Sequence, residues 1–231
     1  MKIHFDDSRW PDPLRGNWRA RLACLRLPSG TVIAPVPDQA DLIFDLGCGG
    51  DLINGPAFHL PAESAAHRFP RRTLAWNGSD QPPGLLPGFY ASLDQSLFDP
   101  ALHQTFPYPL VFNHAIRRAD PAEASTLASF TGGITSPLRS RMIARLQDHD
   151  GVLIRVTPGI WQTILDSGTD DKAKIGYADD IARSRFVLCP RGNGLGSIRF
   201  FETLQAGRVP VLLSDRWVLP AGPDWSACVV R

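Results

Sequence analysis

The sequence predicts an α/β protein whose C-terminal half is built on a mostly parallel sheet. Three observations carry that prediction. From about residue 128 onward, apolar runs of strand length alternate with amphipathic stretches of helix length. A glycine-rich segment, Gly192-Asn193-Gly194-Leu195-Gly196, separates one such strand from one such helix. The 21 prolines and 20 glycines concentrate before about residue 120, which leaves the first half rich in loops. The change of character at Arg117-Arg118-Ala119-Asp120-Pro121 places a domain boundary there, giving an N-terminal domain over 1–120 and a C-terminal domain over 121–231.

Taken in order, residues 40–46 (Ala-Asp-Leu-Ile-Phe-Asp-Leu) read as a short buried strand running into Gly47-Cys48-Gly49-Gly50-Asp51, where the backbone needs unusual angles. Residues 72–77 form a second strand, and the prolines and glycines of 82–88 are irregular. Residues 128–133 form a strand that ends in a glycine turn. Ser136-Pro137 then opens a helix, with Ser at the cap and Pro in the first turn. Met142, Ile143 and Leu146 make its apolar stripe, and Arg139, Arg141 and Arg145 also lie on it. A strand follows at 151–156, a helix at 177–182, a buried strand at 186–188 and a helix at 198–206 closed by Gly207. The last strand of this series spans 209–213.

Composition narrows the function. With 24 basic and 23 acidic side chains the formal charge is +1, so no broad field draws the chain to nucleic acid or to an anionic membrane. An apolar fraction of 43% supports a folded core. Cys24, Cys48, Cys189 and Cys228 form no C-x-x-C pair, which points to free thiols, most of them buried, and to neither a zinc site nor a disulfide framework. No run approaches the ~20 apolar residues that span a bilayer, and the first residues lack a signal-peptide core. The expectation is a soluble cytoplasmic protein without an integral membrane segment.

The chemistry concentrates at 184–217. In open parallel sheets, ligands sit beyond the carboxyl ends of strands, where loops lead into helix N-termini carrying partial positive charge. Residues 189–197 occupy such a place. Gly192, Gly194 and Gly196 allow close backbone approach to a phosphate. Ser197 either caps the helix or donates to a phosphate oxygen, and Arg191 supplies a fixed planar cation. Glu202, in the second turn of that helix, can accept from vicinal ribose hydroxyls or can pair on the surface with Arg199. Asp215, after the next strand, carries the same ambiguity.

These residues resemble a known family. Ser184-Arg185-Phe186, Leu188-Cys189-Pro190-Arg191-Gly192, Arg199-Phe200-Phe201-Glu202, Gly207-Arg208-Val209-Pro210-Val211 and Ser214-Asp215-Arg216-Trp217 are similar to the exostosin domain of glycosyltransferase family 47. Upstream, Ser129-Phe130-Thr131-Gly132-Gly133 followed by Arg139 resembles the motif that opens its nucleotide-binding half, whereas residues 1–120 resemble the family only loosely. The resemblance implies a GT-B architecture of two Rossmann-like domains facing a cleft, and inverting transfer of sugar from a nucleotide donor, mostly a UDP-sugar, to a saccharide or other hydroxyl acceptor. It implies that Arg191 neutralises the diphosphate, that Gly192 to Gly196 and Ser197 cradle it, and that Glu202 holds the ribose, with no cofactor or metal required. The base is expected from the N-terminal half, with Asp45, Asp51 and His114 as candidates. The chain stops at residue 231 in a predicted strand, so the C-terminal domain is expected to be shorter than the resemblance implies.

Two other readings fit parts of the pattern. A strand, spaced glycines, a helix, a strand and then Asp215 imitate the fingerprint of an NAD(P)-dependent oxidoreductase, although Ser197 stands where the third glycine of that fingerprint belongs. A non-catalytic sugar-nucleotide or glycan-binding module is the other, with Trp10, Trp18, Trp76, Trp161, Trp217 and Trp225 as aromatic platforms or core residues.

Overall fold

The computed structural model describes residues 1–8, 27–46, 62, 64–80, 83–84, 86–108, 113–157 and 171–231. Contacts divide the chain into two units. The N-terminal unit comprises Met1–Leu110 with Arg216–Ala221, and the C-terminal unit comprises Val111–Asp215 with Gly222–Arg231. The division falls at Leu110/Val111, where the sequence suggests about residue 120, and Arg216–Ala221, whose first two residues end the 184–217 segment, return to the N-terminal unit.

The N-terminal unit holds β1 (Lys2–Asp6), β2 (Val32–Ile33), β3 (Leu42–Asp45), helix α1 (Ala65–Arg68), β4 (Thr73–Asn77), β5 (Gly88–Tyr90) and β6 (His103–Thr105). They form one sheet in the order β2-β1-β3-β4-β5-β6, and every pair in it is parallel. The predicted strands at 40–46 and 72–77 are β3 and β4. The sheet's two faces follow the period of two. On one, Phe5 stacks on Phe44 at 5.1 Å, Trp76 sets its edge to Phe44 at 5.2 Å, and Phe89 and Phe106 extend the row. On the other, Ile43 packs with Ala34, Ala40 and Ala65, small residues that let α1 approach closely. Trp76 is thus a core residue of this unit.

The returning segment completes the same unit. Trp217 is 3% exposed, its indole N–H donates to Ala91 O at 3.0 Å, and Asp94 pairs antiparallel with it. Gln95 N–H donates to Arg216 O and Val218 N–H to Leu93 O, while Arg216 meets Asp94 at 3.1 Å.

The C-terminal unit holds β7 (Thr126–Gly132), α2 (Pro137–Leu146), β8 (Val152–Val156), α3 (Asp171–Ala182), β9 (Ser184–Pro190), α4 (Ile198–Gln205) and β10 (Val209–Leu213). Its sheet runs β10-β9-β7-β8, again all parallel. Ser136 caps α2 by accepting from Arg139 N–H, with Pro137 in the first turn, and Gly207 ends α4 at φ +72°. Met142 and Ile143 bury the apolar stripe of α2 against Ala128, Phe130 and Leu188. Val187 and Cys189 turn to the opposite face, where Ile181, Ala182 and Phe200 are also buried. Trp225 is half-buried and packs on Phe200 at 5.5 Å, so it too is a packing residue. Trp10, Trp18 and Trp161 lie outside the described residues.

Asp180 ties α3 to this sheet. Its carboxylate accepts from Thr131 Oγ1 at 2.7 Å and from Arg155 at 3.0 and 3.2 Å, and its carbonyl accepts from Ser184 Oγ at 2.6 Å. No described helix is long and apolar enough to cross a membrane.

Candidate functional site

Strand order locates the site. In the C-terminal unit the chain leaves β7 toward β8 on one side and then returns to β9 on the other. The loops after β7 and β9 therefore diverge, and a crevice opens between their strands' carboxyl ends. The loop after β7 is 133–136, and the loop after β9 is the glycine-rich 191–197.

Arg139, in the first turn of α2, holds these two loops together. Its guanidinium donates to Gly133 O at 2.9 Å, to Arg191 O at 3.2 Å and to Pro190 O at 3.3 Å. Ser136 Oγ adds a bond to Arg191 O at 3.1 Å. A permanent positive charge is thereby fixed at the switch point. The described hydrogen bonds of Arg191 all run through its main chain, its N–H donating to Leu213 O at 3.0 Å, and its half-buried side chain extends from a pinned backbone.

Gly192 also serves the packing of the loop itself. None of Gly192, Gly194 and Gly196 takes a positive φ. At Gly192 a Cβ would come within 3.1 Å of both Arg139 Nη2 and Thr135 Oγ1, so this glycine lets the loop lie on the arginine. Thr135 Oγ1 and Thr157 Oγ1 are buried there without a hydrogen-bond partner among the described residues. Ser197 is 5% exposed and precedes α4, yet its side chain makes no cap hydrogen bond. The cap half of its expected role is corrected, and the N-terminal amides of α4 remain uncapped by it. Ser214 Oγ donates to Leu195 O at 2.9 Å, which brings the end of β10 beside the same loop, and Asp215 follows it with an exposed side chain.

Glu202 is not a surface ion-pair residue. Its Oε2 accepts from Tyr177 Oη at 2.5 Å, a contact from α3 to α4. Removal from water raises its pKa above the ordinary 4.5, and this outweighs the Tyr177 hydrogen bond and the Arg199 charge, which both favour the ionised form. Burial, followed by the Glu202 charge, raises Tyr177 well above 10, so its hydroxyl stays a donor. Arg199 is only 8% exposed. It donates to Thr131 O at 2.6 Å, lies over the Phe130 ring at 4.6 Å and leaves its Nε without a partner among the described residues. A Cβ on Gly132 would sit 2.5 Å from its Nη2, so any larger residue there would have to displace the guanidinium. The buried Cys189 is free, and desolvation pushes its thiol up to about 12, which keeps it unreactive. Cys228 is also free and partly exposed, while Cys24 and Cys48 lie outside the described residues.

The three base candidates separate. Asp45 ends β3, is 0% exposed and accepts from the Ser64 hydroxyl. Its register partner is Asp6 at the end of β1, where Ser8 Oγ donates to Asp6 Oδ1 at 2.6 Å, and Asp7 is buried next to it. These acids mark the switch point of the N-terminal sheet, between β1 and β3. Asp51 lies outside the described residues. His114 is exposed and falls in the C-terminal unit, so it does not belong to the half from which the base is expected. No group of three or more metal-ligating side chains forms among the described residues.

Comparison with known proteins now decides the family. The model of the Exostosin GT47 domain matches residues 91–231, which is more than half of the chain and includes the whole β7–β9 switch point. The chain belongs to the exostosin GT47 family. It is 34% identical over 158 residues to the Exostosin-1 homolog of Caenorhabditis elegans, covering 62% of this chain and 41% of that protein. It is 32% identical over 145 residues to Exostosin-1 of Drosophila melanogaster, covering 57% and 19%. Over 76 residues it is 45% identical to Exostosin-1 of Bos taurus, covering 30% and 10%. The chain thus spans less than half the length of these relatives. Its mixed α/β fold, with two parallel Rossmann-like sheets, is the kind that the GT-B expectation describes.

Tyr177 and the burial of Arg199 escaped the sequence reading as parts of this exostosin site. The periodicity of 171–182 gives no reason to single out a tyrosine 25 residues before the acid it contacts. The aromatic and glycine neighbours of Arg199, Phe130 and Gly132, were the available signal.

Proposed function

We propose that this exostosin-family chain is an inverting glycosyltransferase that moves a sugar from a nucleoside diphosphate donor, a UDP-sugar, to a hydroxyl of a saccharide or similar acceptor. The observation that supports it most is the convergence of Arg139, the Arg191 backbone and the N-terminus of α4 at one switch point, with Glu202 held on the same helix.

The parts divide the work as follows. Arg191 and the α4 amides face the diphosphate, and their worth grows as the leaving oxygen gains charge. Arg139 keeps both loops in place for that contact. Ser197 contributes a hydroxyl that its helix does not use, and Glu202 accepts from the ribose. Asp215, exposed beside the loop, stands as a further donor-side contact. In the transfer step a base removes the acceptor proton as the acceptor oxygen bonds to the anomeric carbon from the face opposite the leaving group. The bond from that carbon to the diphosphate breaks, and UDP departs with its electron pair. Asp45, Asp51 and His114 are the residues to vary for the base. In this reading no cofactor takes part, because positive charge comes from the arginine guanidinium groups and from the N–H dipoles of α4.

The test is release of UDP from a panel of UDP-sugars in the presence of saccharide acceptors, with the product's anomeric configuration read by NMR. Turnover with inversion supports the proposal. UDP binding without turnover in any combination contradicts it and favours a sugar-nucleotide-binding module.

A further inference from the structure

One of the two carboxylate oxygens of Glu202 is already occupied, and the structure shows by what. Tyr177 reaches from α3 to donate to Oε2 at 2.5 Å, while Arg199 on Glu202's own helix is committed to Thr131 O and to the Phe130 ring. A lone carboxylate on a helix samples several rotamers, but one held by a neighbouring helix's hydroxyl presents its second oxygen in one direction.

We infer that Tyr177 is a positioning residue for the donor nucleotide. By holding Glu202 Oε2 it directs Oε1 to the ribose 2′- and 3′-hydroxyls and makes the site select ribonucleoside over deoxyribonucleoside diphosphates. The inference rests on the reading of Glu202 as the ribose acceptor. A hydroxyl pair lacking on the ligand would leave the aimed oxygen desolvated and without a donor, which is the condition under which buried polar groups discriminate most strongly.

The same contact supplies a second signature. Among the described residues, the titratable and charged groups facing Glu202 are Tyr177 from α3, Arg199 from α4 and Cys189 from β9. The Tyr177 hydrogen bond opposes the desolvation that raises Glu202. Its removal therefore moves the ionisation of Glu202 to still higher pH, and with it the acid limb of ribonucleotide binding.

The experiment measures binding of UDP and of its 2′,3′-dideoxy analogue by calorimetry between pH 5 and 8, in the unmodified chain, Tyr177→Phe and Glu202→Gln. Tyr177→Phe is expected to weaken UDP roughly fivefold, to change the dideoxy analogue less than about twofold, and to shift the acid limb for UDP upward. Equal losses for both ligands, or an acid limb that stays in place, overturn the inference. Glu202→Gln separates the two levels of the argument. If it leaves the ratio of the two affinities unchanged, the ribose reading itself falls. If it collapses that ratio while Tyr177→Phe preserves it, only the role of Tyr177 falls.

Discussion

The two units share a plan and differ in what they place at the same point of it. Both sheets are parallel and both have a switch point, between β1 and β3 in one and between β7 and β9 in the other. At the first, the strand ends carry buried carboxylates, Asp6 and Asp45 in register with Asp7 alongside. At the second they lead to guanidinium groups, Arg139 and Arg191, and to the start of a helix. Topology fixes where a ligand can sit, and the residues at the strand ends fix its charge. An anionic diphosphate suits only the second, whereas a hydroxyl that must lose a proton suits an acid-lined end.

This contrast can be broken most severely through stability. Trp217 belongs in sequence to the donor-site motif but in packing to the N-terminal unit. Its truncation to Ala should cost about 3–5 kcal/mol and lower the melting temperature by roughly 10 °C. UDP affinity measured well below that transition should stay near its starting value, and a loss of affinity with unchanged melting would place Trp217 in the donor site instead. In the C-terminal unit, Asp180→Ala removes the acceptor of Thr131 and Arg155. A cost of about 1–3 kcal/mol follows in denaturant unfolding, smaller because Arg155 is exposed and rehydrates.

Glu202 gives a change of opposite sign. Its folded pKa is raised, so its neutral form favours the fold; the stability it contributes is present below its ordinary pKa and is lost as pH rises through the raised value. Above that raised value the ionised carboxylate is therefore a burden to the unliganded fold. Glu202→Gln should raise the melting temperature at pH above that raised value, while weakening UDP. Stabilisation that vanishes near pH 4.5 would confirm the sign, and destabilisation above the raised value would refute it. The smallest expected effect is that of chelation. If Arg191, Arg139 and the α4 amides meet the donor charge as proposed, EDTA should leave UDP release unaltered; recovery of a lost rate by Mg²⁺ or Mn²⁺ would show a metal at work.

Legibility in the sequence follows the same division. β7, β9 and β10 run five to seven residues, and α2 and α4 announce themselves through Ser136-Pro137 and Gly207, so local rules suffice there. The N-terminal strands run two to five residues. β2, β5 and β6 run two or three residues, periods too short to carry a signal, and β1, though five residues long, pairs with strands about 30 to 40 residues away. The site splits likewise. Arg191, Glu202 and the glycine loop sit in one continuous motif. Arg139 was legible from its motif after Gly133, but its hold on both loops was not, and Tyr177 and the true neighbours of Arg199 reach the site through tertiary contacts that spacing cannot encode. Arg199 reads as a solvated partner of Glu202 one turn away, yet Phe130 and Gly132 on β7 make it an interior residue.

The central claim is that the cationic switch point, and not the acidic one, holds the donor nucleotide. Calorimetric titration of UDP into Arg191→Ala and Asp45→Asn tests it most directly. The account predicts that Arg191→Ala weakens binding by about tenfold to a hundredfold, the worth of one charge-assisted contact to phosphate, while Asp45→Asn binds UDP as the unaltered chain does. Equal affinity in Arg191→Ala, or a loss confined to Asp45→Asn, would contradict it.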